Sequence, residues 1–500
     1  MTFTKNLLFT IFALAIISLV SCEDADPCDG KVCIDGQVLD ALTCNCIDVA
    51  PCEGKTCPIG EFLDVNTCDC VSNAICNGKT CEADETLNIN TCECDKNDVV
   101  VSGTITTDAT WTSDRIYELA GKVVVDNGAT LTIEPGALIK GREGNGSLAS
   151  ALIIARGSMI NACGTADAPI IFTSELDDIS LGEKIGSNLN ENSRELWGGL
   201  IVLGAAPISA KDGDTETQIE GIPADETYGL YGGDQSNDNS GSLCYISIRH
   251  GGALIGADNE INGLTLGGVG AGTSINNIEV VANLDDGIEF FGGTVNVENA
   301  LVAYQGDDAI DIDMNYSGTI NNVYIIHGGD DTDEAFEIDG PENSTYTEGK
   351  FTITNATAIA TDDLKTSGAD LKSKAQGLMK GVSWRGYKVG KAVAVRASFN
   401  IDDCSDKSDT YTNVVAGDMV IMSSEYISEE ASDADITRIY TDPKSDDANA
   451  LIACLAGTDY EDVLDSGVAS MSNTVKTSPQ AGAVTSEFDW TWAASKGFVQ

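Results

Sequence analysis

The chain has 500 residues, with 79 Asp plus Glu against 28 Lys plus Arg, a net charge of −51, 17 Cys, 52 Gly and 10 Pro. An excess of negative charge on this scale repels phosphate backbones and anionic lipid surfaces, which excludes nucleic acid as a partner. With 42% apolar residues the chain has the material for a core, so global disorder is excluded as well.

The N-terminus predicts an address. Lys5 precedes an apolar run from Leu7 to Val20, too short to span a bilayer and of the length of a secretory core segment. Residues 1–21 therefore read as a signal peptide. Leu19, Val20 and Ser21 before Cys22 resemble a bacterial lipobox, which implies that Cys22 is acylated and that residues 22–27 form the tether. Glu23, Asp24 and Asp26 resemble the signal that carries lipoproteins of Bacteroidota-type bacteria to the exterior face of the outer membrane. The expected location is thus the outer membrane, lipid-anchored and facing the cell exterior. No later stretch is apolar enough to span a membrane, so lipid is the expected partner there.

Residues 28–95 repeat the pattern C-x4-C-x10-C-x-C with a period of 24. The copies are Cys28, Cys33, Cys44, Cys46; then Cys52, Cys57, Cys68, Cys70; then Cys76, Cys81, Cys92, Cys94. An exported chain favours two disulfides per copy, and the absence of His in the repeats speaks against zinc. The two cysteines of each C-x-C are poorly placed to bridge one another. Two connectivities stay open: first to third with second to fourth, or first to fourth with second to third. The pattern resembles a truncated EGF-like hairpin. A 24-residue unit cannot bury enough apolar area to fold alone, so the bridges supply stability, and the repeats read as a stalk. Of the remaining cysteines, Cys404 with Cys454 reads as a loop staple and Cys163 with Cys244 as the other pair.

From residue 96 to 500 the pattern changes to short β-branched runs separated by Gly, Asn and Asp. Examples are Leu152 to Ala155, Ile170 to Phe172 and Leu200 to Leu203. These predict strands with inward and outward alternation, and helical periodicity is nearly absent. A mid-chain repeat selects a right-handed parallel β-helix, an all-β solenoid, over a sandwich. It comprises DDGIEF at 285–290, DDAIDI at 307–312 and DEAFEI at 333–338, at intervals of 22 and 26 residues, one coil each.

In that alignment Ile288, Ile310 and Phe336 point into one core column and Phe290, Ile312 and Ile338 into the next. Glu289, Asp311 and Glu337 then point outward as a carboxylate ladder at the spacing of about 4.8 Å between neighbouring strands, extended by Asp313 and Asp339. Like charges about 4 Å apart repel by ~4 kcal/mol at an effective dielectric of 20, so the ladder needs a cation, a proton or a cationic ligand. Calcium, a hard ion taking oxygen ligands in tolerant geometry, is the expected cofactor, with a solvated face as the alternative.

Several motifs together resemble a group of bacterial, often marine, β-helix surface lipoproteins: ATLTIEPG at 129–136, LIIARG at 152–157, WGGLIVLG at 197–204, IRHGG at 248–252, NGLTLGG at 262–268 and DDGIEFFGG at 285–293. The resemblance extends to the closing Trp490 and Trp492 and implies fold and location more than activity. A second resemblance is to polygalacturonase-type glycoside hydrolases. NLDDGI at 283–288 is similar to their Asn-Thr-Asp motif with one extra residue, GDDAI at 306–310 to their Gly-Asp-Asp, and IHGG at 326–329 approximates their Gly-His-Gly. Their Arg-Ile-Lys is missing, with Arg385 to Lys388 a distant substitute. That resemblance implies an inverting hydrolase with Asp308 as acid, Asp286 and Asp307 activating water, and His327 polarising them. A lyase is disfavoured because it needs a Lys or Arg base in a region almost devoid of both. Trp384 and Tyr387, with Arg385, read as a loop that caps an apolar patch or stacks on a sugar, and His250 as a structural histidine.

The expected function is a non-catalytic, surface-exposed binding or adhesion protein. Its acidic face takes calcium and, through it or beside it, a glycan or a surface protein; polysaccharide hydrolysis is the alternative.

Overall fold

The computed structural model describes residues 98–223, 225–254, 260–328, 332–341, 346–361, 367–388, 390–405, 407, 409–429, 437–440, 454 and 473–500, with short stretches of the segment before residue 97. The chain divides into two compact units, Met1–Asp95 and Lys96–Gln500.

In the first unit three antiparallel hairpins recur at the sequence period. Gln37–Leu39 pairs with Cys46–Asp48 and Glu61–Leu63 with Cys70–Ser72, while Glu85–Asn88 and Glu93–Lys96 form the third two-stranded sheet. In the third copy Cys81 bonds Cys94, with Cα atoms 5.5 Å apart, so second joins fourth and the first-to-fourth alternative is ruled out there. Cys70 and Cys92 are also disulfide-bonded. Cys22, Cys28, Cys33, Cys44, Cys52, Cys57, Cys68 and Cys76, the signal segment and the Cys46 side chain lie outside the described residues.

The second unit is a parallel β-helix whose coils present three faces. The first face stacks Thr130–Ile133, Met159–Cys163 and the leading halves of Gly241–Arg249, Ser274–Val281, Asn296–Ala303 and Thr319–Ile326. The trailing halves of those long strands build the second face, preceded by Leu138–Gly141 and Ile170–Ser174. The third face stacks Ala151–Ile154, Leu200–Leu203, Leu264–Gly267, Ile288–Phe291, Ile310–Asp313, Phe336–Ile338 and Ala369–Leu371. Between first and second faces the chain turns without a loop, at single left-handed residues: Asn277 (φ 55°), Asn299 (φ 59°) and Asn322 (φ 60°). Asn tolerates that region, and here it adds a ladder. Asn299 Nδ2 donates to Asn277 Oδ1 at 3.1 Å and Asn322 Nδ2 to Asn299 Oδ1 at 2.7 Å.

The core follows the predicted columns. Ile288 lies beside Ile310 and Ile310 beside Phe336; Phe290, Ile312 and Ile338 align likewise, and all six are fully buried. Burying each such side chain contributes roughly 1.5–3 kcal/mol. Cys163 bonds Cys244 across adjacent coils (Cα atoms 4.4 Å apart), and Cys404 bonds Cys454 (5.4 Å).

Two additions dress the solenoid. An insertion after Leu200–Leu203 carries the hairpin Glu216–Gln218 with Leu230–Gly232. Its Ile208, Ala210, Ile219, Ile222 and Tyr231 pack on Val124, Ile153 and Ile201, the outward residues of the early third face. The C-terminal segment returns over the second face. Gln480 N donates to Glu425, Ala483 N to Thr357 Oγ1, Val484 N to Asn322 Oδ1, and Trp492 N and Ala493 N to the Glu279 carboxylate. Phe488, Trp492 and Ala493 cover Val281, Leu301 and Tyr324 beneath it. No helix among the described residues is long and apolar enough to cross a membrane.

The loop expected around Trp384 is instead a strand, Ser383–Arg385. Trp384 is fully buried and meets Phe336 edge-on, with ring centroids 5.9 Å apart, so it fills the core and no sugar reaches it. Trp384→Ala should therefore lower stability by about 3–5 kcal/mol, read as a shift in the urea midpoint of the full chain. An unchanged midpoint would contradict this packing.

Candidate acidic site on the third face

Strand alternation sends every second residue of the third face outward. Read along the stack, that outward column runs Val124, Ile153, Ile201, Thr265, Glu289, Asp311, Glu337, Asp370. It is apolar where the insertion covers it and acidic beyond. Glu289, Asp311 and Glu337 are thus immediate neighbours, as the repeat predicts. Their setting differs from a solvated face, because Glu289 is only 5% exposed while Asp311 and Glu337 are half-buried.

A second carboxylate stack stands at the corner just before the inward Ile288, Ile310 and Phe336. Asp286 Oδ1 accepts from Asp308 N at 2.9 Å, Asp308 Oδ1 from Glu334 N at 2.6 Å, and Glu334 Oε1 from Ser367 N at 3.2 Å. Each carboxylate therefore holds the backbone corner of the next coil. Position 287 must be glycine, because a Cβ there would strike Val302 and the Ala309 carbonyl.

The two stacks converge. Oxygens of Asp286, Glu289 and Asp311 lie within 4.8 Å of one another, as do those of Asp285, Asp286 and Asp307 and those of Asp308, Glu334 and Glu337. Burial, reinforced by the neighbouring carboxylates, raises the pKa values of Asp286, Glu289, Asp308 and Asp311 well above the usual carboxylate range. Burial and Asp307 push Asp285 up to about 7; burial and Asp333 push Asp307 up to about 6; burial and Asp313 push Asp339 up to about 8. Asp313 is raised by burial too, against the pull of Lys372. One oxygen of Asp311 and one of Asp339 are buried with no hydrogen-bond partner.

Three features escape sequence reading. Lys372, from the following coil, makes an ion pair with Glu337 and reaches Asp339 at 3.6 Å. It neutralises one end of the ladder and corrects the expectation that cationic side chains are nearly absent from the region. Asn262, from the preceding coil, donates through Nδ2 to Glu289 Oε2. Glu334 completes the corner stack, and its place beside Asp333 in the aligned repeat was the available signal.

The histidines occupy structural settings. His327 is fully buried, its Nε2 lies 2.5 Å from the Tyr387 hydroxyl, and burial pushes its pKa down to about 3. The described contacts do not join it to Asp286, Asp307 or Asp308, and neighbouring residues 329–331 lie outside the described residues. His250 Nδ1 lies 2.8 Å from the Ser193 carbonyl, and burial, the main cause, pushes it down to about 4.

Chemically, this face can hold protons or a hard cation; its coil-clamping carboxylates Asp286 and Asp308 are 6% and 4% exposed. Acids whose pKa values are raised by folding stabilise the protein most below their unfolded values near 4, and that contribution is lost as pH rises through the folded values. For Asp307, Asp285 and Asp339 those folded values are about 6, 7 and 8. With chelator present, the melting temperature should therefore fall between about pH 5 and pH 8.5, and Asp285→Asn with Asp339→Asn should flatten the fall. A melting temperature that rises over this window would refute the assignment.

No curated protein and no solved structure matches the chain. The family model for a pectate-lyase-like β-helix domain matches residues 103–462. On that match, which spans most of the solenoid just described, the chain belongs to the pectate-lyase-like β-helix family.

Proposed function

We propose that this protein is a surface-exposed, lipid-anchored binding protein of the outer membrane, whose acidic third face takes calcium and beside it a glycan or a surface protein. Cys22 is the lipidated residue in this reading, and the cysteine repeats are the stalk. The observation that carries it is the in-register stack Glu289, Asp311, Glu337, with Asp286 behind it and Asp313 and Asp339 at its end. Carboxylates this close cannot all ionise without compensation, and Lys372 reaches only the Glu337 end. Six to eight oxygen ligands at tolerant geometry suit calcium, which is abundant outside cells. The half-buried Asp313, Glu337 and Asp339 border solvent, where a ligand can contact the same face.

Hydrolysis is the second reading, and exposed Asp307 beside Asp285 is the observation in its favour. Against it stand the burial of Asp286 and Asp308, their hydrogen bonds to the next coil's backbone, and the pairing of His327 with Tyr387. An acid and base acting on a sugar need room for both the ring and a water between carboxyls about 6.5–9.5 Å apart.

Calcium should raise the melting temperature of the full chain. At a hundredfold excess over Kd the gain is about 2.7 kcal/mol, and Asp311→Asn with Asp313→Asn should remove most of it. Identical melting curves in calcium and chelator would end the calcium reading. Screening pectic and algal glycans for cleavage, with Asp308→Asn as control, separates the two readings: cleavage lost in the variant establishes the hydrolase. Cys22→Ser should release the protein from the membrane fraction of its host, and retention would refute the lipid anchor.

A further inference from the structure

The first face carries a surface that the acidic site does not use. The C-terminal segment covers the second face and the insertion part of the third, whereas Ser274, Asn296 and Glu298 on the first face are exposed. Alternation turns two residues of each first-face strand outward, on either side of a buried Ile275, Val297, Ile320 or Ile353. One outward column runs Asn161, Ser242, Ser274 and Asn296, then Thr319 and Thr352. The other continues from the Cys163–Cys244 bridge as Asn276, Glu298, Asn321 and Thr354, before giving way to Lys380. Apart from the bridge and Glu298, every residue of the two columns bears a hydroxyl or a carboxamide. On a chain of net charge −51 this is a nearly uncharged strip.

Where the columns pass Ser274, Asn276, Asn296, Glu298 and Thr319 they line a cavity of about 600 Å³, with residues 271–273 also on its wall. That volume falls in the range of roughly 300–1,000 Å³ found for ligand sites. Hydrogen bonds within the strip orient its side chains. Asn277 Nδ2 donates to Asn276 Oδ1 at 2.8 Å, Thr319 N to Asn296 Oδ1 at 2.9 Å, and Asn321 Nδ2 to Glu298 Oε1 at 2.5 Å. Both carboxamide oxygens are thus committed, while no hydrogen bond among the described residues uses Asn276 Nδ2, Asn296 Nδ2 or Glu298 Oε2. The cavity therefore presents two oriented donors, a carboxylate acceptor, and the hydroxyls of Ser274 and Thr319, which serve as either.

That set matches sugar hydroxyls, each of which both donates and accepts. Uronate, sulfate or phosphate groups would meet Glu298 and a strongly negative chain. A protein partner is anchored by Trp, Tyr or Arg in a desolvated pocket, and these columns turn no large apolar side chain outward to build one. Equivalent outward positions recur about every 4.8 Å along the solenoid axis, so an extended chain laid along it meets a similar set at each coil. We propose that this cavity binds a neutral polysaccharide, laid along the solenoid axis, through Ser274, Asn276, Asn296, Glu298 and Thr319. The proposal rests on the reading above only in taking the partner to be a glycan; it needs neither calcium nor the third face.

The test is affinity electrophoresis of the full chain through gels containing mixed-linkage β-glucan, laminarin, galactomannan or xyloglucan, with polygalacturonate as the anionic counterpart. At least one neutral probe should retard the protein, and polygalacturonate should not. Asn276→Asp with Asn296→Asp keeps the oxygens that accept from Asn277 and Thr319 and replaces both free donors, so it should weaken the retarding interaction about tenfold or more. Ser274→Ala with Glu298→Gln, at exposed positions, should weaken it severalfold and serves if the first variant fails to fold. Chelator, or Asp311→Asn with Asp313→Asn, should leave the retardation unchanged. Passage of the wild type unretarded through every neutral gel, tighter binding of polygalacturonate, or wild-type retardation of the first-face variants would overturn the proposal. Retardation lost with chelator or in the ladder variant would place the glycan on the third face, overturning this site and leaving the earlier reading standing. Conversely, identical melting curves in calcium and chelator end the calcium reading without touching this site.

Discussion

Parallel, in-register pairing of successive coils is the constraint on which the rest of the molecule depends. It forces residues about twenty positions apart to become nearest neighbours, and it does so for every column at once. In the core this is favourable, because Ile288, Ile310 and Phe336 bury one another. On the outward side the same rule stacks Glu289, Asp311 and Glu337, where it is unfavourable by an amount that depends on how dry the site is. A solenoid cannot shift one column without shifting the others, so the repulsion cannot be relieved by moving a strand. It must be relieved by chemistry: a proton, a lysine such as Lys372, or a metal ion.

A chain of stacked coils has a second physical weakness. Each coil contacts mainly its two neighbours, so cooperativity over distance has to come from elements that cross several coils. The C-terminal return supplies one such element, with hydrogen bonds at Glu425, Thr357, Asn322 and Glu279 in turn. The corner carboxylates Asp286, Asp308 and Glu334 supply a second, each tying its coil to the next through a backbone N–H. These acids therefore hold the fold together at the place where a hydrolase would need them free. The insertion is a third crossing element, and it covers the apolar half of the outward column, leaving the half-buried Asp311 and Glu337 further along to border solvent.

The parallel β-helix was legible because three copies of one hexapeptide carry matching inward and outward positions, and the register in the structure places them side by side. The ladder residues were legible for the same reason. Their burial was not, since what covers Glu289 comes from other coils and from the insertion, at no fixed sequence offset. Asn262 and Lys372 each lie many residues from the repeat that they approach. Trp384 misled for a related reason: flanked by Val382, Ser383 and Arg385 it lacks a clear alternation, and only the stack decides that it faces Phe336. His327 likewise sits in a Gly-rich context suggestive of a turn at a site, yet its ring is shut in with Tyr387.

By itself, the amino-acid sequence determined the class of fold, the columns of the core, the hairpin period of the cysteine repeats and the identity of the stacked acids. All of these follow from local alternation repeated at one interval, which needs no knowledge of distant contacts. Only the tertiary structure decided how those acids are solvated, which ones clamp a backbone corner, which one meets a lysine, and how the third cysteine repeat is bridged. Those outcomes depend on which segments come to lie over a given coil. Coverage of that kind is set by the path of the whole chain, and no periodicity encodes it.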